Sequence, residues 1–199
     1  MKRKRATDRP EQVEKKLMKL QYENIILRQA ENKDAAHLTS WWNDGSVMAH
    51  AGFPKGLGLT EKEVRDKIFE GLCIIEVIEN TDGIIKTVPI GECHYRDDGN
   101  TVAAIGIKIC LPSYQNRGIG RKVLSLLITH VFQNGYTKIV LNTNLNNTRA
   151  QHVYESLGFR KVRTNLDCWA DQVGNLQSFV DYELVQSNFI SRIPCRQVV

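Results

Sequence analysis

The sequence lacks the patterns that mark several large classes of protein. Its five cysteines are odd in number and widely spaced, and none of them forms a Cys-x-x-Cys pair. The sequence therefore predicts no metal site and no disulfide framework, and it favours a reducing cytoplasm. No apolar run is long enough to cross a bilayer and no secretory signal is present, so we expect a cytoplasmic location and no membrane partner.

An excess of positive charge is missing from most of the chain. The formal net charge is +5, but residues 1–21 carry eight Lys or Arg and three Asp or Glu, whereas the rest of the chain carries nineteen of each. The basic character therefore belongs to the first stretch alone. It gives no support to a nucleic-acid-binding face on the folded domain, and we expect no nucleic-acid partner.

The length of 199 residues and the hydrophobic fraction of 42% fit one domain with short tails. Val13, Leu17 and Leu20 follow one another at helical spacing and predict a short amphipathic helix near the N-terminus. We expect a basic extension that contains this helix, then the folded domain, then a tail without a clear pattern, over residues 1–21, 22–186 and 187–199.

What the sequence does contain is a glycine-rich turn, Gln115-Asn116-Arg117-Gly118-Ile119-Gly120, between an apolar strand-like run and a helical run. A helix N-terminus carries unpaired N–H groups and the positive end of the helix dipole, and glycine lets the backbone approach a ligand closely. The turn therefore predicts a phosphate or pyrophosphate site. No Gly-Lys-Ser/Thr P-loop occurs, and the third glycine of a dinucleotide-binding fingerprint is missing. An ordinary strand–helix turn is the alternative interpretation of this motif alone.

Two motifs together resemble the GNAT superfamily of N-acetyltransferases. The turn matches the superfamily's Gln-x-x-Gly-x-Gly. Residues 147–159 read Asn-Thr-Arg-Ala-Gln-His-Val-Tyr-Glu-Ser-Leu-Gly-Phe and are similar to its Asn-x-x-Ala-x-x-x-Tyr-x-x-x-Gly-Phe. The resemblance is clear over residues 90–159 and looser over residues 25–184. The run Trp41-Trp42-Asn43-Asp44 looks like the branch related to ribosomal-protein and aminoglycoside acetyltransferases.

The resemblance implies an α/β GNAT fold, with a mixed, mostly antiparallel central sheet, a splayed parallel strand pair and flanking helices. The residue pattern predicts strands over residues 25–27, 73–79, 87–95, 102–110, 138–141, 159–165 and 179–184. Helices are predicted over residues 35–42, 60–70, 123–132 and 147–157. Asp34 is expected to cap the first helix, and Thr60 with Glu63 forms a capping box for the second.

The resemblance also implies acetyl-CoA as a co-substrate, without a metal. The N–H groups of the turn would cradle the pyrophosphate, and the pantetheine would pair with the exposed edge of a strand that a bulge near Gly106 splays from its neighbour. By resemblance, the cofactor-binding residues are Ile107, Lys108, Ile109, Gln115, Asn116, Arg117, Gly118, Ile119, Gly120, Arg121, Asn147 and Tyr154.

Attack of an amine on a thioester needs a neutral amine and a proton for the leaving thiolate. Tyr154 matches the superfamily's general-acid tyrosine. Many relatives carry a glutamate on the strand before the turn, where this chain has Ala103 and Ala104. Glu92, one strand earlier, is therefore our candidate base, and proton removal through water is the alternative.

In the superfamily, the first helix and the loop after it help to form the acceptor pocket. Here that loop, residues 43–59, is long and rich in glycine, which predicts a mobile lid. The candidate substrate-binding residues are Trp42, Asp44, His50, Phe53 and Glu92.

These features favour an acetyl-CoA-dependent N-acetyltransferase, acting as a monomer or homodimer on a primary amine of a small molecule or a protein N-terminus. The other class we consider is an acyl-CoA-binding regulatory module without transferase activity. Tyr154 favours the enzyme, whereas the missing upstream glutamate favours the module.

Overall fold

The computed structural model describes residues 18–194, which form one eight-stranded sheet with helices on both faces. The strands are β1 Lys19–Tyr22, β2 Ile25–Gln29, β3 Leu72–Thr81, β4 Ile84–Asp97, β5 Val102–Ile109, β6 Lys138–Asn144, β7 Arg160–Ala170 and β8 Leu176–Val185. The helices are α1 Ala35–Trp42, α2 Gly45–Met48, α3 Glu61–Arg65, α4 Ile119–Gln133 and α5 Thr148–Ser156. The spatial strand order is β1-β2-β3-β4-β5-β6-β8-β7, and only β5 and β6 run parallel. The predicted α/β fold is therefore confirmed.

The two faces of the sheet bury separate apolar clusters. Helices α4 and α5 cover one face, where Leu124, Leu127 and Tyr182 belong to the larger cluster. Helices α1 and α3 cover the other face, where Leu38 and Ile74 belong to the second cluster. Because side chains alternate along a strand, neighbouring residues of β3 contribute to opposite clusters. Helices thus lie on both faces of the sheet, and a ligand can enter between its strands where they separate.

Such a separation occurs between β5 and β6. The two strands pair only through Val102, Ala103 and Ala104, which lie opposite residues 138–140. Beyond Ala104 both strands continue, but they diverge into a V. The predicted splay is present, yet β5 keeps an unbroken register with β4 from Gly91↔Ile109 to Asp97↔Ala103, so the expected bulge at Gly106 is absent. The space over Gly106 is filled instead by the ring of His94, which a Cβ at Gly106 would meet at 2.5 Å.

The loop predicted as a mobile lid is partly folded. It contains α2 and a 3-10 turn, Ala49–Ala51, and the side chain of Asn43 bonds both the N–H (2.9 Å) and the C=O (2.8 Å) of Leu59. Asp44 caps α2 by accepting from the N–H of Ser46 at 2.8 Å. The loop is therefore pinned at its base.

Several element predictions need correction at the ends of the chain. Residues 25–27 lie in the second strand, not the first, because β1 precedes them. Leu20 pairs with Leu27 in the sheet and is buried, so it does not belong to the predicted helix; Val13 and Leu17 lie outside the described residues. Within the predicted C-terminal tail, Ile193 is buried in the larger cluster, and only residues 195–199 lie outside the described part.

Asp34 precedes α1 as predicted, but its carboxylate does not cap that helix. Both oxygens accept from the Arg28 guanidinium at 2.7 Å, and one also accepts from the N–H of Glu31 at 2.8 Å. Arg28 binds Glu76 on β3 as well, at 2.8 Å. One arginine thus neutralises two buried carboxylates and ties α1 to the sheet.

We expect Arg28→Ala to lower the free energy of unfolding by about 3–5 kcal/mol, because it leaves Asp34 and Glu76 buried without their cation. Urea unfolding of the full chain measures this loss. The control is Lys33→Ala, which removes an exposed ion pair with Glu31 and is expected to change stability by less than about 1 kcal/mol. Equal effects of the two variants would contradict the assigned role of Arg28.

Candidate active site

The main cleft of the protein, about 1300 Å³ in volume, opens where β5 and β6 diverge. At one end it meets the turn before α4, and at the other it meets α2 and the end of β7. Its walls come from β4, β5, β6 and β8, with α5 alongside. The cleft therefore joins the predicted anion site to the region where an acceptor was expected.

The turn before α4 is built as an anion site. Asn116 and Gly118 take left-handed backbone conformations, with φ of 61° and 74°, and α4 begins at the next residue, Ile119. Within residues 18–194, the backbone N–H groups of residues 116–120 find no hydrogen-bond partner. The side chain of Gln115 donates to the C=O of Ile109 at 2.9 Å and so fixes the turn to the end of β5. Five free donors at a helix start form a cradle suited to phosphate oxygens.

The cationic side chains around the turn differ in direction. Arg121 and Arg149 line the cleft, and Arg149 also donates to the side chain of Asn116 at 2.7 Å. Arg117 lies over the ring of Tyr114, 5.7 Å from its centroid, and outside the cleft. The position of the Arg117 side chain therefore gives no support to its predicted part in cofactor binding.

Tyr154 on α5 lines the cleft with only 7% of its surface exposed. Its ring packs against Phe159 and Tyr182, with centroids 5.8 and 5.9 Å away. Among the described residues no group forms a hydrogen bond with the Tyr154 hydroxyl. The hydroxyl oxygen itself is not fully buried. Burial raises the pKa of Tyr154 to about 12. The hydroxyl is thus protonated at neutral pH and has no competing acceptor among residues 18–194.

Asn147 stands at the start of α5 and lines the cleft. Its side-chain oxygen caps the helix by accepting from the N–H of Ala150 at 3.2 Å. The predicted cofactor ligand is therefore also a helix cap, which leaves its side-chain amide N–H groups available to the cleft.

Glu92 does not line the cleft, in contrast to its predicted role as base and substrate ligand. It is 3% exposed on the face of the sheet that α1 covers, and one oxygen accepts from Lys108 Nζ at 2.8 Å. Its other oxygen, Oε2, has no partner among the described residues. The side chain next on this face, His94, lines the cleft instead. Burial, opposed by the charge of Glu92, lowers the pKa of His94 to about 4, so its ring is neutral at pH 7.

The other predicted acceptor residues are dispersed. His50 lines the cleft, as do Ile107, Lys108 and Ile109 of the splayed strand, which were predicted to bind the cofactor. Trp42 is 9% exposed and packs in the second apolar cluster, because α1 directs it toward the sheet. Asp44 and Phe53 lie outside the cleft lining, the first because it caps α2 and the second because it points outward from the loop.

Residues on the last two strands complete the acceptor end, although no short sequence motif indicates them. Phe179 and Asp181 of β8 and Trp169 of β7 line the cleft. Asp181 accepts from the Asn165 side chain at 2.8 Å through one oxygen. Alternation was the available signal: Val180, Tyr182 and Leu184 are buried on the α4 side, which places the odd-numbered residues of β8 on the opposite face.

Two further properties concern the described residues as a whole. Over residues 18–194 no three His, Cys, Asp or Glu side chains are grouped so that they could hold a metal ion. In the same part of the chain, no helix has the length and apolar character needed to cross a membrane.

Solved structures with this architecture are numerous. A GNAT-family acetyltransferase from Bacillus anthracis has a TM-score of 0.69 at 19% identity, covering 85% of this chain and 99% of its own. Spermidine N-acetyltransferase from Vibrio cholerae, in complex with CoA and spermine, has a TM-score of 0.69 at 19% identity over 83% and 97% of the two chains. The protein yncA from Salmonella typhimurium, with its cofactor acetyl-CoA, has a TM-score of 0.62 at 18% identity over 87% and 100%.

These likenesses concern the fold, and the assignment to a family rests on sequence. No curated protein matches the chain. Residues 24–160, more than half of the chain, match the acetyltransferase (GNAT) domain family, and the matched segment runs from the start of the second strand through the anion turn to Gly158 and Phe159. The protein therefore belongs to the GNAT acetyltransferase family.

Proposed function

We propose that the protein transfers the acetyl group of acetyl-CoA to a primary amine of a small molecule or a protein N-terminus. The observation that carries this proposal is the shared cleft. The N–H groups of Asn116, Gly118, Ile119 and Gly120, which have no partner within residues 18–194, lie at its α4 end, and the protonated hydroxyl of Tyr154 lies on its α5 wall. A phosphate cradle and a proton donor along one cleft are the two groups that transfer from a CoA thioester requires.

The protein groups fit the parts of acetyl-CoA. The N–H groups of residues 116–120 would hold the pyrophosphate, with Arg121 and Arg149 adding positive charge. The unpaired edge of β5 at residues 107–109 would bond the amides of the pantetheine, which replaces the missing β6 pairing. Acetyl-CoA supplies the activated acetyl group as a thioester. CoA and acetyl-CoA in the Vibrio cholerae and Salmonella typhimurium proteins support this assignment by likeness of fold.

Proton transfer is assigned to residues of the cleft. Tyr154 donates its hydroxyl proton to the leaving thiolate, which its raised pKa allows at every pH near neutrality. Asp181 would bind the acceptor ammonium, because it lines the cleft and its second oxygen has no partner among residues 18–194. The ammonium would lose one proton to water before it attacks the thioester carbonyl. The proton that the nitrogen releases as the amide forms and the thioester bond breaks would restore the Tyr154 hydroxyl. Glu92 would act on the site only through Lys108, since its own carboxylate lies outside the cleft lining.

Incubation of the full chain with acetyl-CoA and a panel of amines tests the proposal. The panel contains a linear diamine, spermidine, a peptide with a free N-terminus and an aminoglycoside. We expect at least one amine to raise the release of free CoA thiol above hydrolysis and to gain 42 Da, roughly the mass of one acetyl group, by mass spectrometry. Binding of CoA without amine-dependent thiol release would favour the regulatory module instead.

A further inference from the structure

Trp169 makes an unusually close contact with the loop that follows α1. Its indole ring packs directly on the backbone of Gly52, so that a Cβ at this position would lie 1.8 Å from ring atom Cη2 and 2.3 Å from Cζ3. Gly52 has a φ of +87° at the end of the 3-10 turn, a conformation that other residues rarely adopt. The backbone of this loop is thus shaped to receive the ring.

Hydrogen bonds from Gln172 reinforce the contact. Its side-chain oxygen accepts from the N–H of Lys55 at 2.9 Å, and its side-chain nitrogen donates to the C=O of Gly56 at 2.9 Å. Its backbone N–H donates to the C=O of Gly52 at 3.0 Å. Three bonds and one aromatic contact therefore join two segments that are far apart in the sequence. We call this contact the Trp169–Gly52 bridge.

An irregularity in β7 places the indole at this position. Asn165 lies opposite Phe179 and Trp169 lies opposite Gln177, so β7 uses four residues where β8 uses two. Asp167, within the extra residues, has a φ of 45°. A bulge of this kind redirects the side chains that follow it. Here the strand after the bulge carries Trp169 across to the loop.

The bridge lies over the acceptor end of the cleft. The 3-10 turn Ala49–Ala51 runs close to β6. His50 of this turn lines the cleft, and so does the Trp169 side chain that forms the bridge. Ser46 and Val47 of α2 line the same end. An acceptor that enters this end meets the indole of Trp169, the imidazole of His50 and the carboxylate of Asp181.

We infer that Trp169 determines acceptor specificity by narrowing this end of the cleft, so that the site takes a primary amine at the end of an unbranched alkyl chain and rejects an amine on a ring. This inference rests on the proposed transferase function. The methylenes of such a chain would lie along the indole while its amine approaches Asp181. A cyclic group beside the amine would have to displace the indole from Gly52 and break the bonds of Gln172.

The test compares butylamine with cyclohexylamine, whose amine is attached directly to the ring, on the full chain. We expect the wild-type protein to prefer butylamine, and Trp169→Ala to reduce the ratio of the two kcat/KM values by about tenfold or more. The change should appear in the KM of the cyclic amine, while the KM of acetyl-CoA stays constant. Gly52→Ala should reproduce this change, because its methyl group would expel the ring. Leu176→Ala, on the exposed β7–β8 hairpin and outside the cleft, is the matched control.

Calorimetric titration of both amines into CoA-loaded protein gives the ratio of their two Kd values, which measures the preference in binding without turnover. A preference for butylamine that Trp169→Ala reduces supports the inference in either measurement. An unchanged ratio in Trp169→Ala, or no preference in the wild-type protein, overturns it while transferase activity stands. Amine binding with the expected ratio but no acetylation would instead overturn the proposed function and keep the acceptor site.

Discussion

Replacing Tyr154 by Phe should lower kcat by about 10²–10⁴-fold, the range for loss of a general acid, while the Kd for CoA stays nearly constant. The phenyl ring can keep its packing against Phe159 and Tyr182, and no hydrogen bond within residues 18–194 is lost with the hydroxyl. Steady-state kinetics and calorimetry on the same preparation separate the two effects. Because a group with a pKa of about 12 stays protonated below that pH, kcat of the wild-type protein should not fall between pH 7 and 10 through ionisation of Tyr154.

Tyr95→Phe is the matched control for this experiment. Tyr95 is a half-buried tyrosine that packs on the α4 face against His130 and Tyr136 and does not line the cleft. We expect its kcat to remain within about twofold of the wild-type value. An unchanged kcat in Tyr154→Phe would remove Tyr154 from the chemical step.

Replacing Gly120 by Glu should abolish CoA binding without unfolding the protein. Gly120 lies in the first turn of α4 and lines the cleft, and a Cβ at this position meets no protein atom within 4 Å. The added carboxylate would stand beside the pyrophosphate. Two like charges 4 Å apart repel by about 4 kcal/mol near a protein surface, so we expect the Kd for CoA to rise by at least about 100-fold in calorimetry.

Gln133→Glu adds the same charge to the exposed C-terminal end of the same helix, about 20 Å away, and should leave the Kd unchanged. Circular dichroism and a melting curve establish that both variants are folded. Tight CoA binding by folded Gly120→Glu would contradict the placement of the pyrophosphate at the turn.

The cofactor half of the site could be predicted because its determinants are local. The turn at residues 115–120 combines glycines with a helix start, and the backbone alone supplies its donors. Tyr154 follows from a motif within one helix. The structure places both on one cleft; that CoA binds there stays a prediction, supported by the unpartnered N–H groups of the turn.

The acceptor half could not be predicted because it depends on long-range packing. Trp42 and Glu92 have residue types suited to a substrate site, but the helix and strand that carry them direct them away from the cleft. Trp169 lies opposite Gln177 because the irregularity in β7 adds two residues between Asn165 and Trp169. Nothing in its immediate sequence signals a contact with Gly52, more than a hundred residues away. His94 lies two residues after Glu92 on the same face of β4. Alternation along the strand therefore could not predict that His94 lines the cleft and Glu92 does not.

The position of β7 and β8 at one end of the sheet has a consequence for how acceptor preference can change. The groups assigned to acetyl-CoA lie on β5, α4 and α5, whereas the wall with Trp169, Phe179 and Asp181 is a single hairpin, and its outer strand β7 is the last strand of the sheet formed by residues 18–194. Within this hairpin, β8 pairs with β6 and its Tyr182 packs against Tyr154, whereas β7 pairs with β8 alone among the described strands. Changes in β7 can therefore alter acceptor preference while the strands and helices assigned to acetyl-CoA keep their pairing and packing.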